Sequence, residues 1–357
     1  MHSAVHFQLQ NETSGANRVS SMFTPHPLVR SATVQTVLSS VKSTGEIGRV
    51  MEHEQPFLID AGVDETGYDP AGRVRLLAYF NAVASEKCKG LVLMLHGWEG
   101  CSHSNYSLMT TNALLSAGYD VVRINLRDHG PGIHADPHAL NKGYFLGTLL
   151  NETITAVEQI ARLAGDKPFF IVGASMGGNF ALRLARAHTE RPFHNLHGVI
   201  AFSPAINPAA AIRAMDAKPA YRRYFRRRWS ASLARKQALF PDDFHFDDVL
   251  AIPGIYAMTD VLARKDGLFA SAADYLDRYR VHPTDLQELT APVTIITALD
   301  DPVIPIADFY ALAPHPLLDV HIERFGGHVG WVDILPLHHD LPDMVLTILA
   351  RYQTETV

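Results

Sequence analysis

The most constraining feature of this chain is a rhythm of short apolar runs alternating with helical patterns. GLVLML (90–95), YDVVRIN (119–125), PFFIVGA (168–174), GVIAFS (198–203) and PVTIITAL (292–299) are nearly continuous apolar stretches. Runs of this kind are strands buried on both faces. FLID (57–60), RVRLLAYF (73–80) and LLDVHIER (317–324) add three strands by their apolar and β-branched content. Helical patterns fall between them, at 106–117 (closed by Gly118), 147–163 and 176–188, with a terminal helix at 343–352. Strand–helix alternation implies parallel pairing through helical crossovers. The expectation is an α/β fold: a mostly parallel eight-stranded sheet with helices on both faces. The rhythm breaks at 205–290, where no clear strand occurs, and a helical cap insertion over the carboxyl edge of the sheet is expected there. The expected division is an N-terminal leader or arm over 1–50, a core over 51–204 and 291–357, and the cap over 205–290. The first 24 residues read as a flexible leader, followed by an irregular stretch with one short helix.

Composition supports a large core and excludes several classes. Of 357 residues, 47% are hydrophobic, and Lys+Arg 31 against Asp+Glu 37 gives a formal charge of −6. An acidic chain is a poor nucleic-acid binder, so no nucleic-acid partner is expected. Two cysteines, Cys88 and Cys101, exclude a disulfide scaffold. With no apolar stretch long enough to span a bilayer and a polar N-terminus without a signal-like apolar region, the expected location is cytoplasmic. The sequence carries no signal for oligomeric state.

The strongest chemical signal is Gly173-Ala174-Ser175-Met176-Gly177-Gly178, set between a buried strand and a helix. A serine there sits on a turn so tight that only glycine or a very small residue fits two positions to either side. The turn lifts the hydroxyl to a helix N-terminus, whose free N–H groups favour developing negative charge. A serine hydroxyl is a weak nucleophile without a base. Among 19 histidines, His328 stands out in the loop Gly326-Gly327-His328-Val329-Gly330 after a strand. The orienting acid should also follow a strand, and Asp301 of ALDDPVIP (298–305) is preferred to its neighbour Asp300. The backbone N–H groups of Trp98, in His96-Gly97-Trp98-Glu99-Gly100, and of Met176 are the candidate oxyanion donors. His96 itself reads as a brace for that turn.

These residues, in this order, resemble the α/β-hydrolase superfamily over roughly 57–350. A narrower resemblance, to its YheT-like branch, rests on Gln35-Thr36, LHGWEGCSHSNY (95–106), GASMGGN (173–179), SLARKQALFP (232–241), ALDDP and GGHVGW (326–331). NKGYFLGTLLNE (141–152) departs from that branch, which has a Tyr/His-Ser-Gly type of segment there. The resemblance implies a serine carboxylesterase or lipase-like hydrolase with Ser175, Asp301 and His328 as its triad, acting on a small-molecule ester or lipid through an acyl-enzyme. Such chemistry needs no cofactor. A thioesterase, amidase or acyltransferase could use the same three residues, and a non-catalytic lipid- or membrane-binding protein is a more distant alternative.

Other features have a plain reading beside a sharper one. Trp98 and Trp331 either line an acyl pocket or pack in the core. RDHGPG (127–132) reads mostly as a structural turn and less as a substrate contact. His129, His134 and His138 have loosely metal-like spacing, but no cysteine or carboxylate pattern accompanies them, and no metal is expected. The basic run Arg222, Arg223, Arg226, Arg227, Arg228, Arg235 and Lys236 reads first as the solvated face of an amphipathic lid. Its sharper reading is peripheral membrane contact through the Arg-rich helix 221–240.

Overall fold

The structure, a computed structural model, describes residues 18–20, 22–41, 44–70, 72–84, 87–130, 136–265 and 267–354. In chain order the elements begin β1 (Arg18–Ser20), α1 (Ala32–Leu38), α2 (Thr44–Glu52), β2 (Gln55–Val63), β3 (Arg73–Asn81), β4 (Leu91–Leu95), α3 (Asn105–Ala117) and β5 (Asp120–Ile124). There follow α4 (Leu150–Arg162), β6 (Phe169–Ala174), α5 (Met176–Ala187) and β7 (Leu196–Phe202). Next come α6 (Pro208–Asp216), α7 (Pro219–Leu239), α8 (Asp247–Leu250), α9 (Ile255–Lys265) and α10 (Ala272–Asp277). The chain ends with β8 (Val293–Ala298), α11 (Ala307–Tyr310), β9 (Leu318–Glu323), β10 (Val332–Asp333), β11 (His338–His339) and α12 (Leu341–Thr354).

All eight expected strands are present, in one sheet ordered β1-β9-β8-β7-β6-β4-β5-β3-β2. The ninth, β1, lies in the stretch read from sequence as a flexible leader and pairs parallel with β9, Arg18 opposite His321. Three residues without an apolar run carry no strand signal of their own; the exposed edge of β9 supplies the partner. Pairing is parallel from β5 through β9, while β2–β3 and β3–β5 are antiparallel.

The period-two geometry of the strands sorts the core into two layers. Leu91, Leu93, Leu95, Phe169 and Ile171 point to one face and join the side packed by α4 and α5. Val92, Met94, Phe170 and Val172 point to the other and pack with Tyr119 and with Val345, Ile348 and Leu349 of α12. Because both faces are covered, every residue of β4 and β6 is buried. α3 ends where Gly118 takes a left-handed φ of 98°, a conformation open to glycine without a Cβ penalty.

The chain runs from β4 to β5 on one side, then crosses to β6 on the other side of β4. The strand order therefore reverses beside β4, and the loops after β4 and β6 diverge at a crevice, the position where open α/β sheets place their sites. Helices α6–α10 occupy 208–277, between β7 and β8. No helix among the described residues is long and apolar enough to cross a membrane.

Candidate active site

β6 delivers Ser175 in a strained turn, with φ 55° and ψ −115°. The flanking glycines are required by contact, not by chain flexibility alone. A Cβ on Gly173 would lie 2.5 Å from the carbonyl carbon of Gly177, and one on Gly177 would lie 2.6 Å from the His96 carbonyl oxygen. The elbow and the β4 turn are thus packed backbone on backbone. Gly97 completes this packing, since its added Cβ would stand 3.3 Å from Cβ of Ser175.

The three residues chosen from sequence lie together. Ser175 Oγ is 2.9 Å from His328 Nε2. His328 Nδ1 is 2.9 Å from Asp301 Oδ2. The second carboxylate oxygen of Asp301 accepts from the N–H groups of Val303 (2.7 Å) and Ile304 (2.9 Å). The Asp301 side chain is 0% exposed and that of His328 10%. A carboxylate held by two backbone donors in a dry site has one lone-pair face left, and that face meets the imidazole. The ring is then fixed with Nδ1–H toward Asp301 and a bare Nε2 toward the serine, the tautomer that can accept its proton.

Asp300 faces elsewhere: its Oδ1 accepts from the Gly327 N–H at 2.9 Å, so the acid beside Asp301 holds the loop that carries His328. Burial pushes the Asp300 carboxyl above its ordinary value.

The turn after β4 is braced from three sides. Tyr106 Oη accepts from the Gly97 N–H at 2.8 Å, and burial drives its phenol up to about 12. His96 Nε2 accepts from the Leu126 N–H at 3.0 Å, which leaves Nδ1 to donate to the Gly97 carbonyl at 2.8 Å. Burial, aided by the neighbouring His129, lowers the His96 pKa to about 3, so the imidazole is neutral. His129 does the same work one residue on: Nε2 accepts from the Glu99 N–H (3.2 Å) while Nδ1 donates to the Arg127 carbonyl (2.7 Å). With these neighbours engaged, the N–H groups of Trp98 and Met176 make no hydrogen bond to the described residues.

Of RDHGPG, Pro131 and Gly132 lie outside the described residues, and the side chains of Arg127, Asp128 and His129 are engaged within the protein. Arg127 is buried between Asp64 (2.6 Å) and Glu152. Asp128 pairs with Lys236 of α7 at 2.8 Å. Both ring nitrogens of His129 are engaged, and His134 lies outside the described residues. His138 is held neutral, burial lowering its pKa to about 3.

A cavity of about 700 Å³ opens over Ser175 and His328, between α1 on one side and α6, α7, α9 and α10 on the other. Trp98 forms part of its wall, stacked on Phe225 (5.8 Å, 3°) and edge-on to Trp229 (5.5 Å, 67°). Trp331, for which the same two readings stood open, is 0% exposed and packs against Phe202 at 5.5 Å in the core. Among the described lining residues Glu99 is the one carboxylate, and Ser232 Oγ donates to it at 2.7 Å. Of the seven cations in the basic run, Lys236 is buried, Arg226 is half-buried and the other five are exposed. Arg226 donates to the carbonyls of Ile252 and Leu250, Arg228 to that of Glu99, and Lys236 to those of His138 and Asn141. Arg222, Arg223, Arg227, Arg228 and Arg235 are the exposed members.

Sequence reasoning missed three supports: Tyr106, the brace at His129, and the contact of Thr36 with the His328 loop. Each lay in a segment already singled out, Tyr106 at the end of LHGWEGCSHSNY, His129 in RDHGPG and Thr36 in the Gln35-Thr36 pair, but none of these segments names the partner.

The sequence profile of a family described as serine aminopeptidase, S33 matches residues 86–319. No curated protein sequence matches the chain. A bacterial membrane phospholipase A described as a virulence factor superposes with a TM-score of 0.52 at 17% identity, over 89% of this chain and 92% of that one. A Staphylococcus aureus protein of unknown function gives 0.52 at 15%, over 85% and 100%. The Pyrococcus furiosus esterase Pf2001 gives 0.51 at 13%, over 87% and 97%. At these identities the likeness is one of fold.

Proposed function

The chain belongs to the serine aminopeptidase S33 family and has the α/β-hydrolase fold, and from that premise we propose that it is a serine hydrolase of carboxylic esters with an apolar acyl group. The observation that carries this reading is the unbroken relay from Ser175 Oγ through His328 to the buried Asp301, at 2.9 Å and 2.9 Å. Ser175 attacks the ester carbonyl while His328 Nε2 takes its proton. Asp301 stabilises the resulting imidazolium without taking a proton itself. The N–H groups of Trp98 and Met176 receive the oxyanion, a contribution of about 3–4 kcal/mol for one such donor. The alcohol leaves with the proton from His328. Water activated by His328 then attacks the acyl-enzyme and releases the acid.

An ester is favoured over a peptide with a free amino terminus by the cavity wall. Among the described lining residues the one carboxylate, Glu99, shares the wall with the cation Arg228, whose charge disfavours an ammonium group in that space. The aromatic wall of Trp98, Phe225 and Trp229 offers apolar area instead.

The test is labelling by an active-site fluorophosphonate together with turnover of p-nitrophenyl esters of rising chain length. Wild type should label and hydrolyse, and Ser175→Ala should do neither while melting normally. Equal labelling of the variant would remove Ser175 from its role. Efficient release of an amino-terminal residue from peptides, without ester turnover, would overturn the substrate class.

A further inference from the structure

The His328 loop is strained and needs to be held. Within six positions, Gly326 (φ 150°), Gly327 (φ 53°), Val329 (φ 54°) and Trp331 (φ 49°) all have positive φ. For a β-branched valine this is a severe departure, and such residues persist only where their surroundings over-determine them. The side of the loop away from Asp300 is held by α1, which lies outside the segment matched to the family, as does His328.

The contacts are specific. Thr36 Oγ1 accepts from the backbone N–H of His328 at 2.9 Å, while its own hydroxyl donates to the Ala32 carbonyl at 2.8 Å. Gln35 is 0% exposed and closes on Val332 with both ends of its amide. Its Nε2 donates to the Val332 carbonyl at 2.7 Å, and its Oε1 accepts from the Val332 N–H at 2.8 Å. The same Nε2 also donates to the Val29 carbonyl at 2.7 Å. Helix and loop touch so closely that a Cβ on Gly327 would stand 2.7 Å from Thr36 Oγ1, and one on Gly330 2.9 Å from the Gln35 carbonyl carbon.

We propose that Thr36, seated by Gln35, is a positioning residue for the reaction: it fixes the backbone of His328 so that the imidazole reaches Ser175 and Asp301 together. This rests on the serine-hydrolase reading above. His328 is then held at two points, its backbone N–H by Thr36 and its ring Nδ1 by Asp301. Removing the first loosens the strained backbone behind the ring, and a misplacement near 1 Å costs on the order of 10²-fold in rate.

The test compares wild type, Thr36→Val, Thr36→Ala and Thr36→Ser in the full chain. Valine keeps the shape and removes the acceptor, alanine removes it without the branched methyl, and serine restores it. The expected result is that both acceptor-less variants lose about 10- to 100-fold in kcat and in the rate of fluorophosphonate labelling. KM should stay within about twofold, and melting within about 3 °C, as expected for one hydrogen bond in a chain of this size. Serine should recover most of both rates. A Thr36→Val enzyme with wild-type kcat and labelling, in a wild type that does label, overturns this inference alone. A loss confined to KM overturns it as well, because the cavity wall and not the base would then be at fault. A wild type that never labels at Ser175 removes the hydrolase reading and this one with it.

Discussion

Replacing Lys236 by methionine should destabilise the protein more than any exposed substitution in the basic run. Lys236 is 1% exposed; its ammonium donates to the carbonyls of His138 and Asn141, each at 2.7 Å, and is ion-paired with the Asp128 carboxylate at 2.8 Å. Burial holds the lysine below its ordinary pKa and the carboxyl of Asp128 above its own. Methionine fills the stem but leaves Asp128 buried without its cation, with the Phe145 N–H (3.0 Å) still donating to it. Breaking one side of a buried pair costs about 3–5 kcal/mol. With an unfolding entropy near 2.1 cal/mol/K per residue, a chain of this length loses about 1.3 °C per kcal/mol, so melting should fall by roughly 4–7 °C. The double variant Lys236→Met/Asp128→Asn should recover part of the loss, since Asn still accepts from Phe145 without a charge. The deficit should also depend on pH. In the single variant the folded state holds the Asp128 proton more tightly than the unfolded chain does. Stability therefore falls as pH rises past the ordinary carboxylate value, and the gap to wild type narrows in acid. Thermal melts of wild type, both single variants and the double variant between pH 4 and 8 provide the measurement. A Lys236→Met protein melting within about 1.5 °C of wild type, or a double variant less stable than Lys236→Met, would refute the view that this pair anchors α7.

His96, neutral in the fold with a pKa near 3 against 6.5 unfolded, makes stability drop as pH falls from about 6.5 toward 3. His96→Gln should flatten that slope by up to about 1.4 kcal/mol per pH unit, read from urea melts, and an unchanged slope would count against it. Gly177→Ala should lower both melting temperature and kcat, because its methyl would press on the backbone of the β4 turn. The strain is of the order of the 1–3 kcal/mol seen on overpacking, and a variant indistinguishable from wild type in a melt and an ester assay would contradict it. Trp98→Ala removes the stack on Phe225 and the edge contact with Trp229. It should raise KM about 5- to 30-fold for long-chain p-nitrophenyl esters but little for the acetate, and an equal effect on both would place Trp98 outside the acyl wall.

Much of the fold was legible because the signals are local. A strand buried on both faces must be apolar along its whole length, as β4 and β6 are. The serine turn must carry glycine where backbone meets backbone, as Gly173 and Gly177 do. β1 was not legible, since three residues pair only because β9 offers an open edge. Most of the Arg-rich run is the solvated face it looked like, yet Arg226 and Lys236 are turned inward to carbonyls and a carboxylate. Cationic stems that reach back into the protein carry the same letters as ones that reach into water.

The amino-acid order alone therefore determined the strand and helix alternation and singled out Ser175, His328 and the Asp300-Asp301 pair, because period, turn chemistry and chain order are written in adjacent residues. Tertiary structure decided which of two neighbouring aspartates faces the imidazole and which pins its loop. It also put Trp98 in the cavity wall and Trp331 in the core, and brought Thr36 to the backbone of a histidine nearly three hundred positions later. Those choices depend on distances between segments far apart in the chain, and no local pattern encodes such a distance.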